Sequence, residues 1–301
     1  ESATHKNNIE KLMELLTHVH LQIVSYGMDV HNHADLNYEG TRHRYMIVLS
    51  RGLKQLTLVL KSPYSSIQLF KKWYQPAGVR SLYGEDCYST LPTGILPSDR
   101  SIYISIFTAL KHGQKNEENL EYVLERLRSE SVDIWDLELG LHVIRCFISF
   151  RTHLEEGYQI LNRLIERYSD QMIHQSPASY TNAFTLTAIQ LIKYLFVKKS
   201  TMVSVSEMEE LERALTLLRP MMNQDILKEI AIPIISDSET WFLIQVLRHV
   251  DENVARGAFS PKLLDSLAVQ SIIQSDDIRM TKKLFEYLRT LYPEFQLTSD
   301  V

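Results

Sequence analysis

Turn-forming residues are scarce in this 301-residue chain, which holds 10 glycines and 9 prolines. All-β folds use both residues freely in tight turns, so their scarcity argues against such a fold. Cysteine is rarer still. Cys87 and Cys146 lie far apart, without His or Cys neighbours at ligand spacing. That leaves no disulfide framework and no thiolate metal site, and a reduced compartment is expected. No apolar run approaches the roughly 18 residues of a membrane span. The phosphate loop, the Gly-rich dinucleotide turn and the Gly-x-Ser-x-Gly elbow are all missing, so no common enzymatic signature is present. The chain starts at Glu1 rather than at Met, which reads as a processed or trimmed product.

One further absence is local. From Gly40 to Gly84 there is no Asp or Glu, although the whole chain has a formal charge of −5. The stretch carries Arg42, Arg44, Arg51, Lys54, Lys61, Lys71, Lys72 and Arg80, interleaved with Tyr45, Tyr64, Phe70, Trp73, Tyr74 and Tyr83. On a helix of about 3.6 residues per turn, Met46, Leu49, Leu53, Leu56 and Leu60 share one narrow face. Arg44, Arg51, Lys54 and Lys61 fall opposite them. An apolar stripe backed by a basic one suits a helix that docks on a core and offers a phosphate-binding surface.

Hydrophobic content of 45% and charged content of 23% are ordinary for a globular protein. Apolar periodicity predicts helices at Asn8–Tyr26, from the basic stretch to about Ser62, at Ser65–Tyr74, around Ile102–Leu110 and at Leu120–Leu127. Further helices are predicted at Leu137–Phe150, Glu155–Tyr168, Ser179–Val197, Ser206–Met222, Asp225–Ile235, Ser238–Val250, Ser260–Gln274 and Arg279–Leu291. Met28–Gly40 reads as a loop, and Gly78–Ser98 as an extended one. The expected fold is all-α, a solenoid-like array of antiparallel helical hairpins. Its divisions are N-terminal helices with a basic face (1–78), the loop (79–98) and a hairpin array (99–301).

The second helices of the hairpins resemble one another: SIQLFKKWYQPAG from Ser66, EEGYQILNRLIERY from Glu155, LERALTLLRPMM from Leu211 and TKKLFEYLRTLYPEF from Thr281. Each is similar to the second helix of the pentatricopeptide repeat, roughly A-x-x-L-F-x-x-M ending in Pro-Asp. PSDRSIYISIFTAL from Pro97 resembles that family's P-D-x-x-T-Y-x-x-L-I first helix, and SYTNAFTLTAI from Ser179 follows it more loosely. The resemblance covers about two thirds of the chain. It implies a non-catalytic, cofactor-free protein that binds single-stranded RNA in organellar transcript stability, processing or translation, with the mitochondrial matrix as its location. Ile104 and Leu141 stand where the family carries a base-reading polar residue, and Asp99 and Asp136 stand at its terminal position. That departure favours recognition of the RNA backbone over a base-by-base code.

The candidate RNA-binding residues are therefore Arg44, Arg51, Lys54, Lys61, Lys71, Lys72 and Trp73. The cations would neutralise phosphates, and the indole would stack on a base. A solvated or internally paired basic face, or contact with a membrane surface, would use the same residues. A scaffold for other proteins, within a ribonucleoprotein or membrane-associated complex, is the alternative function. Asp29, His31, His33 and Asp35 alternate in a predicted loop, with no strands to build a metal site, and read as solvated. Glu117-Glu118, Glu155-Glu156, Glu209-Glu210 and Asp276-Asp277 stand at helix starts, where negative charge meets the helix dipole. Cys146 lies on an apolar face and reads as core.

Overall fold

A computed structural model describes residues 3–30, 38–74, 100–129, 136–197, 205–237, 239–274 and 278–293. The described residues form 14 α-helices and no strand. None of these helices is long and apolar enough to cross a membrane. The chain divides into two compact units, Glu1–Thr152 and His153–Val301.

Unit 1 holds α1 (Ala3–Val30), α2 (Tyr38–Lys54), α3 (Pro63–Tyr74), α4 (Arg100–His112), α5 (Glu117–Ser129) and α6 (Leu137–Phe150). Helix α4 packs against α2 on one side and α6 on the other, with α3 also against it. It is apolar nearly all round, and Ile102, Tyr103, Ile104, Ile106, Phe107, Ala109 and Leu110 are all buried. Such a helix is stable only when covered by neighbours. Where α2 meets α4, small polar side chains allow close approach: Ser50 Oγ donates to the Ser101 carbonyl at 3.0 Å and lies 3.0 Å from Ser105 Oγ. On its other flank, α2 meets α1 at Gly52. A methyl group there would sit 2.3 Å from Leu16 Cδ2.

Helices α2 and α3 pack on α4, and the two compact units meet in sequence at Thr152–His153. The predicted loop at 79–98 lies outside the described residues. So do 31–37, which include His31, His33 and Asp35, whereas Met28, Asp29 and Val30 belong to α1.

Unit 2 holds α7 (Leu154–His174), α8 (Ala178–Val197), α9 (Val205–Leu218), α10 (Gln224–Ser236), α11 (Thr240–His249), α12 (Glu252–Ala258), α13 (Pro261–Gln274) and α14 (Ile278–Leu291). Helix α8 contacts α7, α9 and α10, and α10 in turn contacts α13. Helix α11 lies against α9 and α14. Asn223 caps α10, its side-chain oxygen accepting from the amides of Asp225 and Ile226. Ala214 is 2% exposed, so the small residue of LERALTLLRPMM does face inward. Helix α12 is absent from the sequence reading. It is seven residues long with Gly257 inside it, too short to show a period, although Asp251 caps it by accepting from the Asn253 amide.

Candidate functional site

The acid-free stretch builds α2 and α3. Met46, Leu49, Leu53 and Leu56 are 2%, 0%, 0% and 0% exposed, so the apolar stripe docks as its spacing predicts, while Leu60 is only half-buried. The helix itself ends earlier than predicted. After Lys54 the chain widens into a π-helical turn, Gln55–Val59, closed by the Leu60 amide donating to the Gln55 carbonyl at 3.0 Å. The turn is anchored from α3: Ser66 Oγ donates to the Leu53 carbonyl and lies 3.0 Å from Thr57 Oγ1. Wide turns of this kind are often retained where a helix must re-aim its side chains. Lys61 then adopts a left-handed backbone, φ 51°, beyond the helix. It is exposed but does not continue the stripe of Arg44, Arg51 and Lys54.

Arg44 and Arg51 are exposed and Lys54 is half-buried. Lys54 does not act alone. Lys54 from α2, Lys111 from α4 and Arg145 from α6 all lie close enough to His142 on α6 to repel its proton. Burial first, and then Arg145, Lys54 and Lys111, push the imidazole down to about 4. His142 Nδ1 lies 3.4 Å from Thr108 Oγ1, which donates to the Ile104 carbonyl. Three helices thus each carry a cation whose charge is felt by one imidazole, His142. Among the described residues, no acidic side chain pairs with Arg44, Arg51, Lys54, Lys61, Lys71, Lys72 or Lys111. Lys54 and Lys111 also stand in the last turns of their helices, where a cation meets the carboxyl end of the dipole.

The lysines of α3 stand apart from that cluster. Lys71 Nζ lies 5.3 Å from the centre of the Tyr122 ring of α5, and Lys72 is exposed near His20 of α1. Trp73 is 3% exposed and stacks on His20, ring centres 5.2 Å apart and planes 7° apart. Its ring is therefore inside the unit and is withdrawn from any base. The helical period places position 73 with Phe70 and Ile67 on the inward face of α3, and burial of its large apolar surface outweighs exposure. Among the described residues, neither His20 nitrogen, nor Trp73 Nε1, has a hydrogen-bond partner.

Lys111, Arg145 and His142 are missing from the sequence reading. They lie outside the acid-free stretch, and no local pattern ties them to Lys54. Asp136, at a family base-reading position, is occupied otherwise: its carboxylate caps α6 by accepting from the Glu138 and Leu139 amides, and it pairs with Arg100 at 2.9 Å. Asp99 lies outside the described residues. Ile104 and Leu141 are each 3% exposed. Cys146 is buried, which pushes its thiol up to about 12, the inert state expected of a core cysteine.

No family model, curated protein or solved structure matches the chain.

Proposed function

We propose that this chain is a non-catalytic single-stranded RNA-binding protein that grips the phosphate backbone along α2, α4 and α6. The observation that carries the reading is that Lys54 of α2 and Lys111 of α4, both without acidic partners among the described residues, act on the same imidazole, His142 of α6. Lys54 and Lys111 have no acidic partner among the described residues, and binding a polyanion there releases its counterions. Neutral His142 spares the site a further desolvated charge while leaving a ring edge to hydrogen-bond. The buried Ile104 and Leu141, with Asp136 committed to capping, support backbone recognition over base reading. On this reading the helices form a solenoid of antiparallel hairpins akin to pentatricopeptide repeats. Support for it comes from α2, α4 and α6 lying side by side in unit 1, and α8, α10 and α13 in unit 2. The same kinship would place the protein in the mitochondrial matrix, in transcript stability, processing or translation.

The test is the salt dependence of binding to a labelled oligouridylate, by fluorescence anisotropy. Lys54→Glu with Lys111→Glu should weaken binding and lower the slope of log affinity against log salt by about 1.4, or about 0.7 per lost contact. In the same double variant the His142 pKa, read by NMR, should rise. Failure of the parent protein to bind RNA at low salt ends the RNA reading. The protein-scaffold reading would then lead, favoured by Val48, Leu58 and Val59, which are exposed along α2 and its π turn.

A further inference from the structure

Helices α1 and α3 leave an open groove of about 750 Å³ between them, in the size range of small-ligand sites. It shares no residue with the cluster around His142. One wall is a single stripe of α3: Tyr64, Gln68, Lys71 and Lys72, spaced so that they fall on one side of the helix. Glu14 and His18 of α1 stand on the other wall, above an apolar floor that includes the buried Leu69. Tyr64 is 64% exposed, an unusual exposure for so large a ring. Apart from Lys71 over Tyr122, none of these polar side chains has a hydrogen-bond or ion-pair partner among the described residues.

We propose that this groove seats one unpaired nucleotide of the RNA, its base against the Tyr64 ring and its phosphate on Lys71 and Lys72. The inference rests on the RNA reading above. The chemistry of the wall favours a nucleotide over a plain anion. A phosphate or an acidic peptide needs only the lysines, whereas a nucleotide uses every group along the stripe. The aromatic face stacks on any base, the Gln68 amide both donates to and accepts from a base edge, and two ammonium groups meet the phosphate. Glu14 offers an acceptor to a ribose hydroxyl, a donor that RNA carries and DNA lacks. The groove thus takes the stacking role that the buried Trp73 cannot fill.

The experiment compares the parent with Tyr64→Ala, Tyr64→Phe and the pair Lys71→Glu with Lys72→Glu, all checked for native helical content. Each is titrated with a labelled oligouridylate and with oligoglutamate as a competitor. Tyr64→Ala should weaken RNA binding about tenfold, within the span that loss of one base stack produces. Tyr64→Phe should bind as the parent does, because the ring face and not the hydroxyl makes the contact. Ultraviolet crosslinking of RNA containing 4-thiouridine should mark the peptide that carries Tyr64. If the parent binds RNA and Tyr64→Ala binds it equally well, the groove proposal falls and the backbone reading stands. If Tyr64→Phe loses as much as Tyr64→Ala, the stacked placement is wrong. If oligoglutamate displaces RNA as well as free oligouridylate does, and Tyr64→Ala changes neither, the lysines form a plain cation site. A parent that binds no RNA at low salt removes both readings together.

Discussion

The two units are built from similar amphipathic helices but treat a buried ionisable side chain in opposite ways. Unit 2 carries the whole formal charge of −5, while unit 1 is neutral overall. In unit 2 the buried cation is fully answered. Lys193, 8% exposed, pairs with Asp237 and, at 2.8 Å, with Glu239. Burial disfavours its charge, yet the hydrogen bonds and charges of the two carboxylates outweigh burial and hold its pKa above the usual lysine value. In unit 1, Arg100 is paired with Asp136 and Glu138, but Arg44, Arg51, Lys54, Lys71 and Lys72 have no such partners among the described residues. Its buried His20 has no hydrogen-bond partner at either nitrogen among the described residues. The acid-free stretch that gathers its cations on α2 and α3 directs the functional proposal to unit 1.

The comparison breaks most violently if unit 2 is forced into the condition of unit 1. Asp237→Asn with Glu239→Gln strands Lys193 inside and should cost about 3–5 kcal/mol in urea unfolding. Adding Lys193→Met, which keeps the stem and drops the charge, should recover most of that loss. No recovery would show that the carboxylates matter for some reason other than the lysine.

The next effect belongs to His20. Burial, and then Lys72, push its pKa from 6.5 down to about 4. Above about pH 6.5 neither native nor unfolded chain protonates it, and its neutral burial carries no pH penalty. As the pH falls from 6.5 toward 4 the unfolded chain takes up a proton that the native state refuses, so stability drops, by about 3 kcal/mol over the window. His20→Phe keeps a ring against Trp73 and removes both unpartnered nitrogens. Its stability should therefore fall less over this window, with the gap from the parent widening toward pH 4. Parallel curves for the two proteins would show that His20 is solvated after all.

Smaller again is the cost of crowding unit 2. Ala214→Phe should overpack the inward face of α9 and lower stability by about 1–3 kcal/mol, read as a lower thermal midpoint. The smallest effect sharpens the contrast best. Arg44→Glu with Arg51→Glu reverses two exposed cations and should alter folding by no more than about 0.5 kcal/mol. A large loss of stability there would mean that these arginines are structural and that unit 1 answers its charges too.

Much of this was legible in the residues alone. Leu137–Phe150 and the inward face at Met46, Leu49, Leu53 and Leu56 follow from apolar spacing, because a helix repeats locally and burial rewards one face. The all-α class follows from the same period and from the shortage of glycine and proline. Local period also decides that Arg44 and Arg51 point outward. The rest depends on neighbours. No spacing within α2 foretells the π turn, which is held by Ser66 from the next helix. No spacing sets Lys54, Lys111 and Arg145 to act on one imidazole, because that needs α4 packed against both α2 and α6. Trp73 and Tyr64 look equivalent as aromatics in a basic stretch, yet packing against His20 buries one and leaves the other at the edge of a groove. The sequence by itself determined where helices form and which side of each is apolar, since both are set within a few residues. Only the tertiary structure decided which cations share a surface and which aromatic ring is free to meet a ligand, since those outcomes depend on contacts between helices far apart in the chain.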